Sequence, residues 1–316
     1  MLALVLRRLL QMALIMAVAS FILFVIFDTE QFKKQIAIAE LGGFAVSALD
    51  EQAYQNWLAE KGLDVPFYQH YADWVGSIFE GDFGHSFEKN TDIGPLLTDR
   101  LLNTGILAFW VFALMIPISL VTGVLVGMKE GSAQDRTITF VSVVTTSIPE
   151  IATAIFLTVV FALGLGWLPA KSAMTQGFDW RQLVLPVLTL VIYDFGYVAR
   201  MTRASMAEVM TSQYIRTAVL KGIPYQRVIM RHALRNALIA PFTVIVLQMN
   251  WLLSGVVVVE VFFQYNGFGK LLLEAALFGD VYVVQACTLV AVMVAVSSQI
   301  ISDVGYTLLN PRIRFA

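Results

Sequence analysis

The chain has 316 residues, of which 58% are apolar and only 14% are charged, and its mean hydropathy is +0.73. Soluble globular domains carry about 25% charged residues, so this composition argues against a soluble enzyme, a disordered chain and a collagen-like fibre. The single cysteine, Cys287, excludes an internal disulfide and a multi-cysteine metal site. The formal net charge of −2 provides no overall field that would attract nucleic acid.

Six apolar segments are long enough to cross a bilayer, whose hydrocarbon core requires about 20 residues of helix. In lipid each must be helical, because only a helix satisfies its own backbone polar groups there. We therefore predict that residues 1–316 form a single all-α membrane domain with six transmembrane helices. The predicted spans are 9–27, 104–128, 137–163, 182–199, 237–259 and 281–302.

The distribution of basic residues predicts the orientation of these spans. Six spans place both termini on one side, and the segments on that side contain 13 of the 21 basic residues. The long loop after the first span has 13 acidic and 5 basic residues. Because Lys and Arg accumulate on the cytoplasmic side, both termini are predicted to be inside. The external loops are then 28–103 and 260–280, and the cytoplasmic segments are 200–236 and the tail 303–316.

The first span and the loop after it each have a distinctive composition. Arg7 and Arg8 followed by Ala17-Val18-Ala19 resemble a cleavable signal peptide, but the apolar run continues to Phe27, which favours a retained span. The 28–103 loop is too long for a simple connection. Because it also contains many aromatic residues, we expect it to fold as a small helical cap.

The 200–236 segment is too polar to span a membrane and too long to be a turn. It predicts a helix that begins near Tyr214 and ends at Gly222, because glycine suits the position just after a helix C-terminus. Pro224 prevents this helix from continuing, and a second, basic helix should lead into the fifth span. Considered without its detailed pattern, such a segment is more typical of an ordinary basic cytoplasmic loop.

Fourteen residues at fixed spacing make this segment resemble the coupling loop of ABC importer permeases, and in particular that of the dipeptide/oligopeptide/nickel permease family. The loop of that family reads Tyr-hydrophobic-Arg-Thr-Ala-x-x-Lys-Gly, followed by Arg-His-Ala-Leu-Arg-Asn-x-Leu-x-x-Pro. The matching residues are Tyr214, Arg216, Thr217, Ala218, Lys221, Gly222, Arg231, His232, Ala233, Leu234, Arg235, Asn236, Leu238 and Pro241.

The resemblance extends along the whole chain, for example to Gly81-Asp82-Phe83-Gly84 in the long loop and Glu260-Val261-Phe262 after the fifth span. The sequence departs from the family at Asn266, where proline is usual, and at Asn310, where aspartate is usual. The family's Gly-Asp-Pro after the first span is also absent. The departures at Asn266 and after the first span concern the predicted external face, and all three leave the coupling loop intact.

The resemblance implies a type I importer-like permease subunit in the bacterial inner membrane, which is not itself an enzyme. No Gly-x4-Gly-Lys-Ser/Thr phosphate-binding loop occurs. We therefore expect no cofactor in this chain, with ATP and Mg bound by two partner P-loop ATPases. A second homologous six-helix permease, an external solute-binding protein and membrane lipid are the other implied partners, without nucleic acid. The residues expected to couple to the ATPase are Tyr214, Arg216, Thr217, Ala218, Lys221, Gly222, Arg231, His232 and Asn236.

Four acidic residues lie within or at the edges of the predicted spans. A charge at the centre of a span costs about 2.5–3.5 kcal/mol on insertion scales, so each should face protein or a water-filled path. Glu260 and Asp303 match family positions and are interpreted as structural. Glu150, which follows Pro149, and Asp194 are either pathway residues or helix–helix hydrogen-bond partners. The candidate pathway residues are Glu150, Asp194, Gln248, Asn250 and Trp251, of which the last three are also typical of helix packing.

The remaining motifs predict no further site. The three histidines, His70, His85 and His232, are scattered and do not predict a metal centre. Gly123 and Gly127 have the spacing of a notch for close helix packing. No catalytic triad is present.

Two other classes of protein remain open. An ATP-independent secondary transporter or channel would favour internal repeats or broken helices with buried ion ligands, and it would not need the coupling loop. An intramembrane enzyme would need paired catalytic groups, for which only Glu150 and Asp194 are candidates. The sequence does not identify the solute, since the family transports peptides, opines, oligosaccharides and metal chelates; peptide is the first expectation.

Overall fold

A computed structural model describes residues 2–174 and 177–309. Within these ranges, the side chains of 2–5, 8, 39, 250–255 and 302–309 lie outside the description. The described chain is predominantly helical, in agreement with the predicted class. It also contains one short antiparallel pair of strands, β1 (His85–Ser86) and β2 (Thr91–Asp92), which the all-α prediction did not include.

The chain divides into two compact units. The first comprises Met1–Asn103 and Gly267–Ser297, and the second comprises Thr104–Asn266 and Ser298–Ala316. Two long helices, α6 (Ile93–Gly127) and α16 (Val281–Leu309), contribute to both units. The other helices of the first unit are α1 (Leu2–Phe27), α2 (Glu30–Leu41), α3 (Gly43–Ala48), α4 (Glu51–Glu60), α5 (Phe67–Glu80) and α15 (Phe268–Phe278).

In the first unit, the predicted 28–103 loop folds as four helices, the β1–β2 hairpin and the first eleven residues of α6, so it is mainly but not entirely helical. Its helix α5 packs on α1 through aromatic rings, with the buried Phe24 ring edge-on to Phe67 at 5.3 Å and to Tyr71 at 5.3 Å. A hydrogen bond to the Asp92 carboxylate raises the pKa of the exposed His85 on the hairpin.

The second unit contains the predicted third, fourth and fifth spans. Helix α7 (Ala133–Ser147) is followed by α8 (Glu150–Leu157), which continues as a π-helical stretch, Thr158–Gly164. Next come α9 (Trp180–Met210), α10 (Gln213–Leu220) and α11 (Tyr225–Arg227). A second π-helical stretch, Val228–Ala233, leads to α12 (Leu234–Ala237), α13 (Ile239–Gly255) and α14 (Val257–Phe262).

Four continuous helices are long and apolar enough to cross a membrane, and the number rises to six if two bent helix pairs are each one span. The bent pairs are Ala133–Ser147 with Glu150–Gly164, at 100°, and Tyr225–Ala237 with Ile239–Met249, at 46°. The four continuous candidates are Leu9–Phe27, Ile93–Gly127, Trp180–Met210 and Val281–Ile301.

Several helices differ in extent from the predicted spans; α6, for example, begins at Ile93 instead of at residue 104. The predicted third span, 137–163, is interrupted between Ser147 and Glu150, because Pro149 lacks an N–H group and cannot continue the helix. Helix α9 runs eleven residues beyond the predicted end of the fourth span at Ala199. Its extension buries Met206 and Ala207, so the apolar packing of this helix continues past the apolar run that the sequence shows.

Close helix packing in the second unit depends on glycines, as predicted for Gly123 and Gly127. A Cβ atom added at Gly123 would lie 2.5 Å from the Thr202 Cβ, and one added at Gly127 would lie 2.7 Å from the Arg203 carbonyl oxygen. Both distances are below van der Waals contact, so α6 approaches α9 only because these side chains are absent. Gly196 on α9 fits in the same way against the Ser142 carbonyl of α7.

Replacing Gly123 with alanine should lower the stability of the purified chain by about 1–3 kcal/mol, because the added methyl group overpacks the α6–α9 contact. Gly105→Ala is the matched control, since a Cβ at that position of the same helix meets no atom within 4 Å. The measurement is the thermal unfolding midpoint in detergent. Equal midpoints for the two variants would show that α6 and α9 do not depend on this notch.

Candidate functional site: the 200–236 segment and the buried polar residues

Helix α10 ends at the glycine that the sequence singled out. Gly222 has a φ of +73°, a left-handed conformation that residues with a Cβ rarely adopt. Its N–H donates to the Val219 carbonyl at 2.9 Å, and the Ile223 N–H donates to the Ala218 carbonyl at 3.3 Å. These two bonds form a Schellman motif, which stops the helix and turns the chain towards Pro224.

One face of α10 is anchored to the rest of the second unit. Ile215 and Ala218 are buried in an apolar cluster that also contains Met206 of α9 and Val228 and Ala233 of the following segment. The spacing of three residues places Ile215 and Ala218 on the same side of the helix. The opposite side is left exposed, including Arg216, Thr217 and Lys221.

A hydrogen bond joins the start of α10 to α12. The Asn236 Nδ2 group donates to the Tyr214 hydroxyl at 3.0 Å and lies 3.3 Å from the His232 carbonyl oxygen. The structure therefore brings together three predicted coupling residues, Tyr214, His232 and Asn236. The first and last of them are 22 positions apart in the sequence. Of the other predicted coupling residues, Arg231 is exposed and Ala218 is buried.

The predicted second helix is present but irregular. It begins at Tyr225 behind Pro224, passes through the π-helical stretch and ends at Ala237, before α13 begins at Ile239. Short π-helical insertions occur frequently at functional sites. Because the pair is bent by 46°, the basic segment leaves the line of α13 instead of simply extending it.

Exposed apolar side chains adjoin the basic residues of this segment. Val219, Leu220, Tyr225 and Met230 are 51%, 79%, 54% and 69% exposed. Large apolar side chains exposed beside charged ones are typical of a protein-binding surface. We call the following exposed residues the coupling surface: Arg216, Thr217, Val219, Leu220, Lys221, Tyr225, Arg227, Met230 and Arg231.

Sequence reasoning missed the apolar part of the coupling surface. It named residues that match the family loop, and Val219, Leu220, Tyr225 and Met230 occupy positions that the loop pattern leaves open. A signal was available for Leu220 in the helical spacing, because a helix that buries Ile215 and Ala218 directs Leu220 away from the apolar cluster.

A bidentate ion pair that the sequence did not predict supports the end of α9. The Arg203 guanidinium donates from Nε and Nη2 to the two Asp135 carboxylate oxygens at 2.8 and 2.7 Å. Asp135 is only 3% exposed and also accepts a hydrogen bond from the Gly131 N–H at 2.9 Å. This pair joins α7 to α9 ten residues before α10 begins, so it helps to hold the base of the coupling surface.

Three of the five candidate pathway residues lie on helices that pack together. Glu150 begins α8, Asp194 is on α9 and Gln248 is on α13, and both α8 and α13 pack against α9. Asp194 is fully buried, and its Oδ1 accepts a hydrogen bond from Gln248 Nε2 at 2.5 Å. The Glu150 and Asp194 carboxyl groups are therefore carried by two helices, α8 and α9, that contact each other.

The other predicted residues have different environments. Glu260 is fully buried and accepts a hydrogen bond from Thr104 at 2.6 Å, which supports its structural interpretation. The side chains of Asn250, Trp251 and Asp303 lie outside the described residues. Asn266, the departure from the family proline, donates to the Ala173 carbonyl at 2.9 Å through a side-chain amide that proline lacks.

Two further observations limit the chemistry. In the part of the chain that the structure describes, no group of three or more His, Cys, Asp or Glu side chains could hold a metal ion. A cavity of about 240 Å³ in the second unit is lined by apolar residues, including Trp110, Leu114 and Trp180, and its lining does not include the three pathway candidates. Without polar groups to orient a ligand, this cavity is a poor site for a polar solute.

The fold and the site define a class: a multi-pass membrane protein that presents an exposed basic and apolar surface between two apolar helices. Residues 119–315 match the family described as the binding-protein-dependent transport system inner membrane component. The chain belongs to this family, and the predicted membership of the ABC permeases and the multi-pass inner-membrane location are confirmed. Members of the family are permease subunits, and the family implies a binding protein and ATPases as partners.

Curated relatives cover most of the chain. It is 32% identical over 317 residues to a putative peptide transport system permease protein of Brucella abortus (strain 2308), with 99% of each chain covered. It is 34% identical to the oligopeptide transport system permease protein AppB of Bacillus subtilis (strain 168), covering 83% of this chain and 85% of AppB. It is 32% identical to the glutathione transport system permease protein GsiC of Shigella flexneri serotype 5b, covering 84% and 86%.

Proposed function

We propose that this chain is a transmembrane permease subunit of a bacterial ABC importer. It moves a peptide-like or other small polar solute, delivered by an external binding protein, and ATP hydrolysis in partner subunits drives the movement. The observation that carries this proposal is the coupling surface, where exposed apolar side chains and cations stand on a helix whose other face is anchored in the second unit.

The contacts around α10 suggest how a partner's movement reaches the spans. Ile215 and Ala218 bury one side of α10, and Tyr214 is hydrogen-bonded to Asn236. A force on the coupling surface therefore acts on a helix that is held at both its start and its inner face. Because α9 and α13 continue from the two ends of this segment, a shift of α10 is transmitted to both spans.

The proposed assembly follows the positive-inside orientation. Both termini and the coupling surface face the cytoplasm, where two P-loop ATPases bind ATP and Mg, and this chain holds no cofactor. A second homologous six-helix permease supplies the other half of the pathway. Basic side chains such as Arg216, Lys221 and Arg227 complement an acidic groove on the ATPase.

The solute is proposed from the relatives and from the buried polar residues. Peptide and glutathione are named for the relatives, and both are small solutes with charged ends. Glu150, Asp194 and Gln248 form the polar group in the second unit that could contact such a solute along the pathway. A secondary transporter that works without ATP is the alternative, and it leaves the coupling surface without a partner.

Mild-detergent purification of the tagged chain, followed by mass spectrometry and an ATPase assay, tests the proposal. We expect a second six-span permease and P-loop ATPases to copurify, with ATP hydrolysis in the purified complex. A variant with Leu220→Asp and Met230→Asp should lose the ATPases and keep the second permease, because both side chains lie on the coupling surface. Recovery of the chain alone or as a homodimer, with ATP-independent transport, would favour the secondary transporter.

A further inference from the structure

The second unit buries two carboxyl groups with acceptor atoms left open. Gln248 donates to Asp194 Oδ1, whereas the buried Oδ2 atom has no hydrogen-bond partner. The buried Oε2 atom of Glu150 has none either. Buried polar atoms are hydrogen-bonded in the great majority of cases, so two open carboxylate oxygens on neighbouring helices indicate a missing donor.

The described arginines of α7 and α9 do not supply that donor. Arg203 is paired with Asp135, Arg181 donates to the Trp167 carbonyl, and Arg200 lies over the Tyr197 ring. The remaining one, Arg136, is exposed. Helices α8 and α13 contain no Lys, Arg or His, so the pair has no described cation on the helices that carry it.

The accessibility of the two carboxyl groups differs. Asp194 is fully buried, while Glu150 is only partly buried at the start of α8, beside the 100° break in the chain. Glu150 is therefore the more accessible of the two carboxyl groups, and Asp194 is the deeper one. Two buried carboxylate groups on contacting helices are costly unless a proton or a cation accompanies them.

An alkylammonium group matches this arrangement better than a divalent metal. It carries a single positive charge and three N–H donors, enough for both open oxygens. Calcium takes about six to eight oxygen ligands and magnesium about six, whereas this site offers two carboxyl groups and one amide. A primary ammonium group is also small, so it can form the end of a larger transported solute.

We propose that Glu150 and Asp194 bind the protonated amino group of the transported solute, so that the permease itself recognises a cationic or zwitterionic amine. This inference rests on the proposed function of the chain as a permease. It assigns the carboxyl pair a ligand chemistry: a primary ammonium group, such as the α-amino end of a peptide, held between a partly accessible and a fully buried acid.

The test uses the purified full chain in lipid nanodiscs and alanyl-alaninamide, a probe with an amino group and no carboxylate. Its α-amino group is largely protonated at about pH 6.5. The thermal unfolding midpoint is followed as a function of probe concentration, since a ligand that binds the folded state raises it. We expect stabilisation of the wild-type chain, and apparent Kd values raised about tenfold or more in Asp194→Asn and in Glu150→Gln.

The controls separate charge from size and from general effects. The amide oxygen introduced by Asp194→Asn can still accept from Gln248, and Glu150→Gln provides a second variant if Asp194→Asn does not fold. Glu208→Gln, an exposed acid on the same helix as Asp194, should bind the probe like the wild type. N-acetyl-alanyl-alaninamide, which lacks the positive charge, and sodium chloride at equal concentration should produce no shift.

The inference is overturned if the wild-type chain does not respond to the probe, or if the acetylated peptide or sodium produces the same shift. It is also overturned if both carboxyl variants bind the probe as the wild type does. This binding needs neither ATP nor a partner subunit. A failure of the copurification test would therefore count against the proposed function alone, and a failure here would count against the amine site alone.

Discussion

Gly222→Glu is expected to leave the chain in the membrane and to abolish ATP-dependent solute uptake. A left-handed residue with a Cβ costs about 1–2 kcal/mol, which weakens the Schellman motif that ends α10 at a φ of +73°. A Cβ there meets no atom within 4 Å, so the chain itself has room for the new side chain. The added carboxylate instead places a negative charge at the edge of a basic coupling surface. Uptake of labelled solute and immunoblots of the membrane fraction measure the two parts of this expectation.

Two matched variants separate docking from backbone strain. Gly62→Glu introduces the same side chain at a φ of +67°, also with no atom within 4 Å, but in the 28–103 segment. Uptake by that variant should remain near the wild-type level. Gly222→Asn should retain most transport, because asparagine tolerates the left-handed conformation and adds no charge. Normal uptake by Gly222→Glu, or equal loss in Gly62→Glu, would refute the docking role of this helix end.

Asp135→Ala should destabilise the purified chain by about 3 kcal/mol. Removing one partner of a buried ion pair leaves the other charge without compensation, which typically costs about 3–5 kcal/mol. The lower end applies because the Arg203 side chain is 25% exposed and keeps a second ion pair, with Glu130 at 3.3 Å. The Gly131 N–H also loses its acceptor. The thermal unfolding midpoint in detergent, compared with wild type, measures the effect.

A double-mutant cycle isolates the ion pair in this expectation. Asp135→Ala combined with Arg203→Met removes both charges, so the double variant should be more stable than Asp135→Ala alone. Arg200→Ala is the control on the same helix, since the Arg200 guanidinium lies 5.8 Å from the Tyr197 ring and has only a weak contact to lose. If the effects of Asp135→Ala and Arg203→Met simply add, the bidentate pair contributes no coupling between α7 and α9.

Local sequence was sufficient to predict the helix at 213–220 and its end. Glycine at 222 and proline at 224 act through their own backbones, so their effect does not depend on distant contacts. The same holds for the apolar segments, whose length alone requires helices in lipid. The spacing of Gly123 and Gly127 likewise predicted a packing notch, which the Thr202 and Arg203 contacts confirm.

The partners of buried polar groups could not be predicted from the sequence. Arg203 and Asp135 are 68 positions apart, and Asp194 and Gln248 are 54 apart, so no helical spacing brings either pair together. The third span was predicted as one segment, 137–163, and only packing against α9 and α14 determines that the chain turns by 100° between Ser147 and Glu150.

The sequence by itself thus determined the class of this protein and the position of its exposed basic segment. Composition, apolar length and the coupling-loop pattern were sufficient, because those properties act over a few turns of helix. Which side of α10 is exposed, which arginine is neutralised and which carboxyl oxygens remain open were decided by the tertiary structure. These features depend on contacts between helices that lie far apart in the chain, and the free energy of such contacts is set by burial and geometry, which no local pattern contains.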